Sequence, residues 1–163
     1  MGYVEAICIS RKKGVAKEPI SRATFRIEWG IDGDAHAGHW HRQVSLLAGE
    51  SIDRMKKMLP QLSAGAFAEN VITRGVNLLS VRVGDVLRIG ADVILQVTQI
   101  GKECHTACAI RQQTGDCIMP REGIFARVLQ GGEVRPGDEI DKVENLAVLS
   151  ASNGAPSAIE LQQ

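Results

Sequence analysis

Apolar and polar side chains alternate with a period of two in several short stretches, and with a helical period in only one. Tyr3 to Ser10 reads as a strand, ended by the basic turn Arg11-Lys12-Lys13-Gly14. Thr24 to Glu28 alternates again, and Gln43 to Leu47 is a short apolar strand. Gly49 to Leu59 predicts the clearest helix, with Ile52, Met55, Met58 and Leu59 on one face and Asp53, Arg54, Lys56 and Lys57 toward water. Pro60 stops it. Val71 to Thr73 and Leu78 to Val81 predict short strands on either side of Gly75. Val93, Leu95 and Val97 alternate with Ile94, Gln96 and Thr98 in a strand that breaks at Gly101, while Ile124 to Leu129 is compatible with strand or helix.

Between these elements, Gly30-Ile31-Asp32-Gly33-Asp34-Ala35-His36-Ala37-Gly38 reads as a glycine-punctuated loop with no regular element. Val83-Gly84-Asp85 and Pro136-Gly137-Asp138 echo one another, each a Gly-Asp turn directly before a strand. Many short strands entered through turns, with one clear helix, predict a mainly β fold that closes its edges as a barrel or curled sheet, with few short helices. Periodicity fades beyond Val143. The expected organisation is one domain over residues 1–144 and a polar, linker-like tail over 145–163.

Composition narrows the function classes. At 163 residues the chain suits one substantial core. Its 19 acidic and 19 basic residues balance, which argues against general nucleic-acid or polybasic membrane binding, although a local cluster can still hold a small anion. No apolar run is long enough to span a bilayer, and the N-terminus lacks the pattern of a secretory leader, so a cytoplasmic protein is expected. Thiols stay reduced in that compartment, which turns the four cysteines toward metal binding or thiol chemistry and away from a disulfide framework. Cys8, inside an apolar strand, is expected to be a small core residue.

Candidate chemistry concentrates in two stretches. The first follows the strand ending at Gly101: Lys102, Cys104, His105, Cys108, Arg111, Cys117 and Arg121. Cations beside Cys104 favour its thiolate, the nucleophilic and metal-binding form, and Glu103 opposes them. A packed, inert thiol is the alternative. Zinc is another, with Cys104, Cys108, Cys117 and His105 as a conceivable tetrahedral set in a non-catalytic interaction module. The second stretch is Asp32 to Arg42, with three histidines and two carboxylates that can bind metal, move protons, or simply cap a turn. Lys102, Arg111, Arg121, Arg127 and Arg42 can cradle phosphate if they converge. No P-loop, dinucleotide fingerprint or serine nucleophile elbow is present.

Taken in order, Gly30 to Gly38, His41-Arg42-Gln43-Val44-Ser45-Leu46-Leu47, Phe67-Ala68-Glu69-Asn70-Val71, Val83-Gly84-Asp85, Gly101-Lys102-Glu103-Cys104-His105 and Pro136-Gly137-Asp138 resemble the MOSC family, named after the C-terminal domain of molybdenum cofactor sulfurases. The resemblance runs from about residue 5 to 143. It implies a β-barrel-like fold of the MOSC, pyruvate-kinase-barrel-like kind and a role around the molybdenum cofactor, a metal held by a phosphorylated pterin dithiolene. By the same resemblance, Cys104 is the molybdenum ligand or a persulfide sulfur carrier. His36 and Asp34 are candidates for proton delivery, Arg42, Lys102 and Arg121 for the cofactor phosphate, and Asn70 for the pterin edge.

A chain of this length has no room for the pyridoxal phosphate domain of a full sulfurase, so no pyridoxal phosphate is expected on it. Carriage, insertion or sulfuration of the cofactor is the leading expectation, with cofactor-assembly or acceptor proteins as partners. Stand-alone relatives include reductases of N-hydroxylated compounds, so the alternative is a reductase, which needs a separate redox partner. Neither nucleic acid nor a membrane is an expected partner.

Overall fold

The computed structural model describes residues 2–102 and 118–144. In chain order the elements are β1 (Gly2–Ile9), β2 (Glu18–Ile20), β3 (Ala23–Arg26), β4 (Gly30–Ile31), β5 (Val44–Ala48), α1 (Gly49–Lys56), β6 (Val71–Arg74), β7 (Val86–Ile89), β8 (Val93–Ile100), α2 (Met119–Glu122), β9 (Ile124–Gln130), β10 (Gly132–Val134) and β11 (Glu139–Lys142). Hydrogen bonding runs β11, β7, β8, β9, β5, β6, β1, and β1 then pairs back to β11, so these strands form a closed barrel. Only β5 and β6 run parallel, while every other pair in the ring is antiparallel. The eight residues of β1 serve both closure and extension: Gly2 and Tyr3 pair with β11, and Ile7 to Ile9 pair with β2. A small sheet of β10, β3 and β4 packs beside the barrel. Among the described residues no helix is long and apolar enough to cross a membrane.

Period-two alternation sorts most strand residues into two main cores, with a small third cluster of Val86, Ile94 and Leu129. Val4, Leu46, Val71, Leu87, Leu95, Ala126, Val128 and Ile140 fill the barrel interior. Leu47, Ile72 and Phe125 point outward and meet Ile52 and Met55 of α1 together with Phe67, Ile118 and Met119. All five residues of β5 are therefore buried, since both of its faces are covered. The two turns that echo one another are built alike. The Asp85 carboxylate accepts the Arg82 amide at 2.8 Å, and the Asp138 carboxylate accepts the Arg135 amide at 2.9 Å. Gly84 and Gly137 supply φ of 96° and 97° within them.

Several expected boundaries move. The helix ends at Lys56, although Lys57 keeps helical dihedrals, and the chain continues to Leu59 in turns that leave Met58 exposed. Leu78–Ser80 is a turn of 3-10 helix where a strand is expected. Gly30–Ile31, expected to be irregular, pairs with Phe25 and Arg26 of β3. Ile124–Gln130 is a strand because β5 and β8 flank it on both sides. The tail beyond Glu144 lies outside the described residues.

Candidate functional site

The loop after β4 folds onto the end of β1 through Asp34. One carboxylate oxygen accepts the Ser10 amide at 3.1 Å and Lys17 Nζ at 2.7 Å, and the other accepts the His36 amide at 3.2 Å. Lys17 and Asp34 have no side-chain exposure, so this is a buried ion pair whose members must satisfy each other. Lys17 also donates to Ser10 Oγ at 3.1 Å and meets His36 Nδ1 at 2.9 Å. An ammonium has donors only, so Nδ1 accepts, and the proton of the neutral ring sits on Nε2. Burial, first, and the Lys17 charge push the His36 pKa down to about 4; Lys102 and Lys13 add to this and Asp34 opposes it.

Trp40 links this buried pair to the surface. Its Nε1 donates to the His36 carbonyl at 2.7 Å, and its ring stacks with the His36 ring at 6.4 Å and 11°. Lys13 lies 5.0 Å from the Trp40 ring centre, and the Arg42 guanidinium 4.7 Å from it and 5.7 Å from the Phe125 ring. Arg42 Nε is buried and has no hydrogen-bond partner among the described residues.

Below these groups lies a floor whose polar atoms are matched. Ser45 and Phe125 sit directly opposite each other on β5 and β9, on the outer face. Asn70 Oδ1 accepts from the Ser45 amide at 2.9 Å and Ser45 Oγ at 3.2 Å, while its Nδ2 donates to the Cys8 carbonyl at 3.0 Å. Glu69 is buried and accepts the Gly65 and Phe67 amides. Burial raises its pKa, and those backbone bonds pull the other way. Between them Ala68 holds a left-handed φ of 62°, a strained conformation for a residue with a Cβ.

These parts enclose a cavity of about 210 Å³ lined by Lys13, His36, Trp40, Arg42, Asn70 and Lys102, with Ser45, Ala68, Met119 and Phe125 completing the wall. Of the expected site residues, His36, Arg42, Asn70 and Lys102 come together here. Asp34 sits behind the wall with both oxygens engaged, and Arg121 is exposed on α2, away from the lining. Cys104, with His105, Cys108 and Cys117 of the zinc alternative, lies outside the described residues. Both ends of that stretch are pinned at the cavity, since Lys102 and Met119 line it and the Lys102 amide donates to the Pro120 carbonyl at 3.1 Å. Gly101, at φ of 71°, lies so close to Pro120 that any Cβ would collide with its carbonyl. Cys8 is buried, and burial raises its thiol to about 12, which keeps it protonated. Among the described residues no group of three or more His, Cys, Asp or Glu side chains could hold a metal ion.

Sequence reading missed Lys13, Lys17 and the role of Trp40. Lys13 read only as part of a turn, and nothing in the pattern around Lys17 marks a lysine whose side chain is fully buried. Trp40, by contrast, was visible as a lone aromatic among histidines. A second, more open cleft of about 640 Å³ shares Trp40 as a wall and is lined on its far side by Glu28, His39, His41, Gln96 and Arg127.

Residues 33–141 match the MOSC domain family, more than half of the chain, and the chain belongs to that family. Among solved structures it is similar to the YuaD protein of Bacillus subtilis, at 20% identity and a TM-score of 0.71, covering 86% of this chain and 94% of that one. It is also similar to YiiM from Geobacillus stearothermophilus, at 19% identity and a TM-score of 0.64, covering 98% of this chain and 95% of that one. YiiM from Escherichia coli is 18% identical with a TM-score of 0.61, covering 88% of this chain and 70% of that one. At such identities the likeness concerns the fold. No curated protein sequence matches the chain.

Proposed function

We propose that this protein binds the molybdenum cofactor at the cavity between Lys13, Arg42 and Lys102, and serves its carriage, insertion or sulfuration. The observation that carries this reading is Arg42: its guanidinium is held between two rings at a cavity wall, with a buried Nε that no described group satisfies. Arg127 Nε in the neighbouring cleft is buried and unbonded in the same way, so what sets Arg42 apart is that its guanidinium stands with Lys13 and Lys102 at one wall. Arg42 suits bidentate contact with phosphate oxygens, and Lys13 and Lys102 add point charges to the same wall. At about 210 Å³ the cavity is smaller than the roughly 300–1,000 Å³ of sites that enclose whole drug-sized ligands. A cavity of this size would take only part of the cofactor, with the phosphate against Arg42 and the two lysines.

Cys104 follows Lys102 by two residues, a chain reach of about 7 Å from the cavity wall. Its thiolate is the soft ligand in this reading, or its persulfide the sulfur carrier. The cofactor, when bound, supplies a dithiolene-held metal whose coordination a soft thiolate completes. Arg42, Lys13 and Lys102 would hold the phosphate, Asn70, itself fixed by Ser45 and the Cys8 carbonyl, would face the pterin edge, and His36 would offer Nε2–H to an acceptor atom.

The cleft beyond Trp40 favours a second reading, a reductase of N-hydroxylated compounds fed by a separate redox partner, because it leaves room for another molecule beside the cavity. Protein loaded with cofactor and mixed with an acceptor apoenzyme separates the two. Activation of the acceptor without turnover of a hydroxylamine supports the carrier. Hydroxylamine turnover with an added electron donor, and no transfer, supports the reductase. Failure of the protein to take up cofactor at all overturns both.

A further inference from the structure

We infer that Lys17 is a positioning residue that locks His36 as its neutral Nε2–H tautomer, so that this wall of the cavity presents a fixed hydrogen-bond donor and selects an acceptor atom, an oxygen or sulfur anion, at that point. Lys17 has three ammonium donors and three acceptors around them: Asp34 Oδ1 at 2.7 Å, His36 Nδ1 at 2.9 Å and Ser10 Oγ at 3.1 Å. Its own backbone is held as well, the Lys17 amide donating to the Gly65 carbonyl at 2.9 Å. With every donor assigned and the side chain sealed from solvent, Nδ1 has no alternative partner and cannot carry the proton. Ring rotation is restrained too, by the stack with Trp40, whose Nε1 is bonded to the His36 carbonyl.

Among the described residues the charged groups facing His36 are Lys17, Asp34, Lys102 and Lys13. Burial first, and then the three cations, keep the ring unprotonated at neutral pH while Nε2–H remains available. A neutral donor in this position accepts an anion as neighbour without competing for its charge, whereas a ligand donor would meet another donor and be rejected. That functional sense rests on the cavity being the cofactor site. The tautomer does not.

Long-range proton–nitrogen correlation spectra of the full-length, nitrogen-labelled protein test the inference, with His36 assigned by the loss of its signals in His36→Gln. The expected result is a single Nε2–H tautomer, unchanged from pH 7 to 5. In the double variant Lys17→Met/Asp34→Asn, which removes both charges of the buried pair together, His36 should show exchange between its two tautomers, while burial, Lys102 and Lys13 still hold its pKa below the ordinary value of about 6.5. An Nδ1–H tautomer or an imidazolium in the wild type at pH 7 overturns the inference, as does an unchanged His36 spectrum in the folded double variant. Should the double variant not fold, the wild-type spectrum decides alone. If the Nε2–H tautomer is present and the protein takes up no cofactor, the inference stands and the proposed function falls.

Discussion

Trp40 divides two concavities that differ more in charge than in kind. The larger, open cleft pairs its charges, with Arg127 Nε 3.6 Å from the Glu28 carboxylate, although that Nε, like Arg42 Nε, makes no hydrogen bond among the described residues. The smaller cavity brings Lys13, Arg42 and Lys102 to one wall, and none of the three has a carboxylate partner among the described residues. Asp34 lies behind that wall and is engaged by Lys17, and Glu69 under the floor is engaged by the Gly65 and Phe67 amides. An ion pair at a half-open surface is nearly neutral to an approaching ligand. Cations without counterions on a partly buried wall attract an anion, and the size of a concavity is the weaker guide to its ligand.

Substitutions on the two sides of Trp40 should therefore behave differently. The largest effect is expected for Lys17→Met, which strands the Asp34 carboxylate in the interior and should cost about 3–5 kcal/mol in urea denaturation. Glu28→Gln, in the cleft, should cost less than about 1 kcal/mol because its pair is half exposed. Equal losses from the two would erase the distinction. Next comes Asn70→Ala, which leaves the Ser45 amide and the Cys8 carbonyl without partners and should lower stability by about 3 kcal/mol, read from the same denaturation curves.

Arg42→Met should weaken binding of inorganic phosphate, followed by phosphorus NMR titration, by about tenfold, equivalent to about 1.4 kcal/mol, while Arg127→Met changes it little. The reverse ranking would move the anion site to the cleft. A smaller effect belongs to pH. With His36 depressed to about 4 when folded and near 6.5 when unfolded, the unfolded chain binds the proton first. Its contribution to stability is full above pH 6.5 and is lost as pH falls toward 4. The ring is partly exposed, so screening reduces the loss to roughly 1 kcal/mol, and His36→Gln should remove that component from thermal unfolding measured across the range. Smallest is Ala68→Gly, which relieves the left-handed φ and should leave stability within about 1 kcal/mol of wild type, against the clear loss expected at a residue in ordinary conformation.

The barrel was legible because strand alternation reports buried faces, as where Val93, Leu95 and Val97 turn into the core, whereas β5, covered on both faces, shows no alternation to read. Paired turns at Asp85 and Asp138 were equally plain, since a Gly-Asp step has a local cause. Boundaries moved where tertiary pairing outweighed local pattern, as at Gly30–Ile31 against β3. In the cavity, Arg42, Asn70, Lys102 and His36 were marked by motif, but the distinction between wall and support was not. Asp34 and His36 are two residues apart, yet one is sealed behind the wall and the other lines it. Lys17 left no trace in the sequence, because a buried lysine depends on partners contributed by Ser10, Asp34 and His36 from distant turns.

Molybdenum and pterin content, measured in wild type, Arg42→Met and Cys104→Ala purified anaerobically from a host that makes the cofactor, tests the central claim most directly. The account predicts both molybdenum and pterin in the wild type, loss of the metal in Cys104→Ala, and loss of pterin and metal together in Arg42→Met. Wild-type protein that carries zinc alone, or neither metal nor pterin, would contradict it.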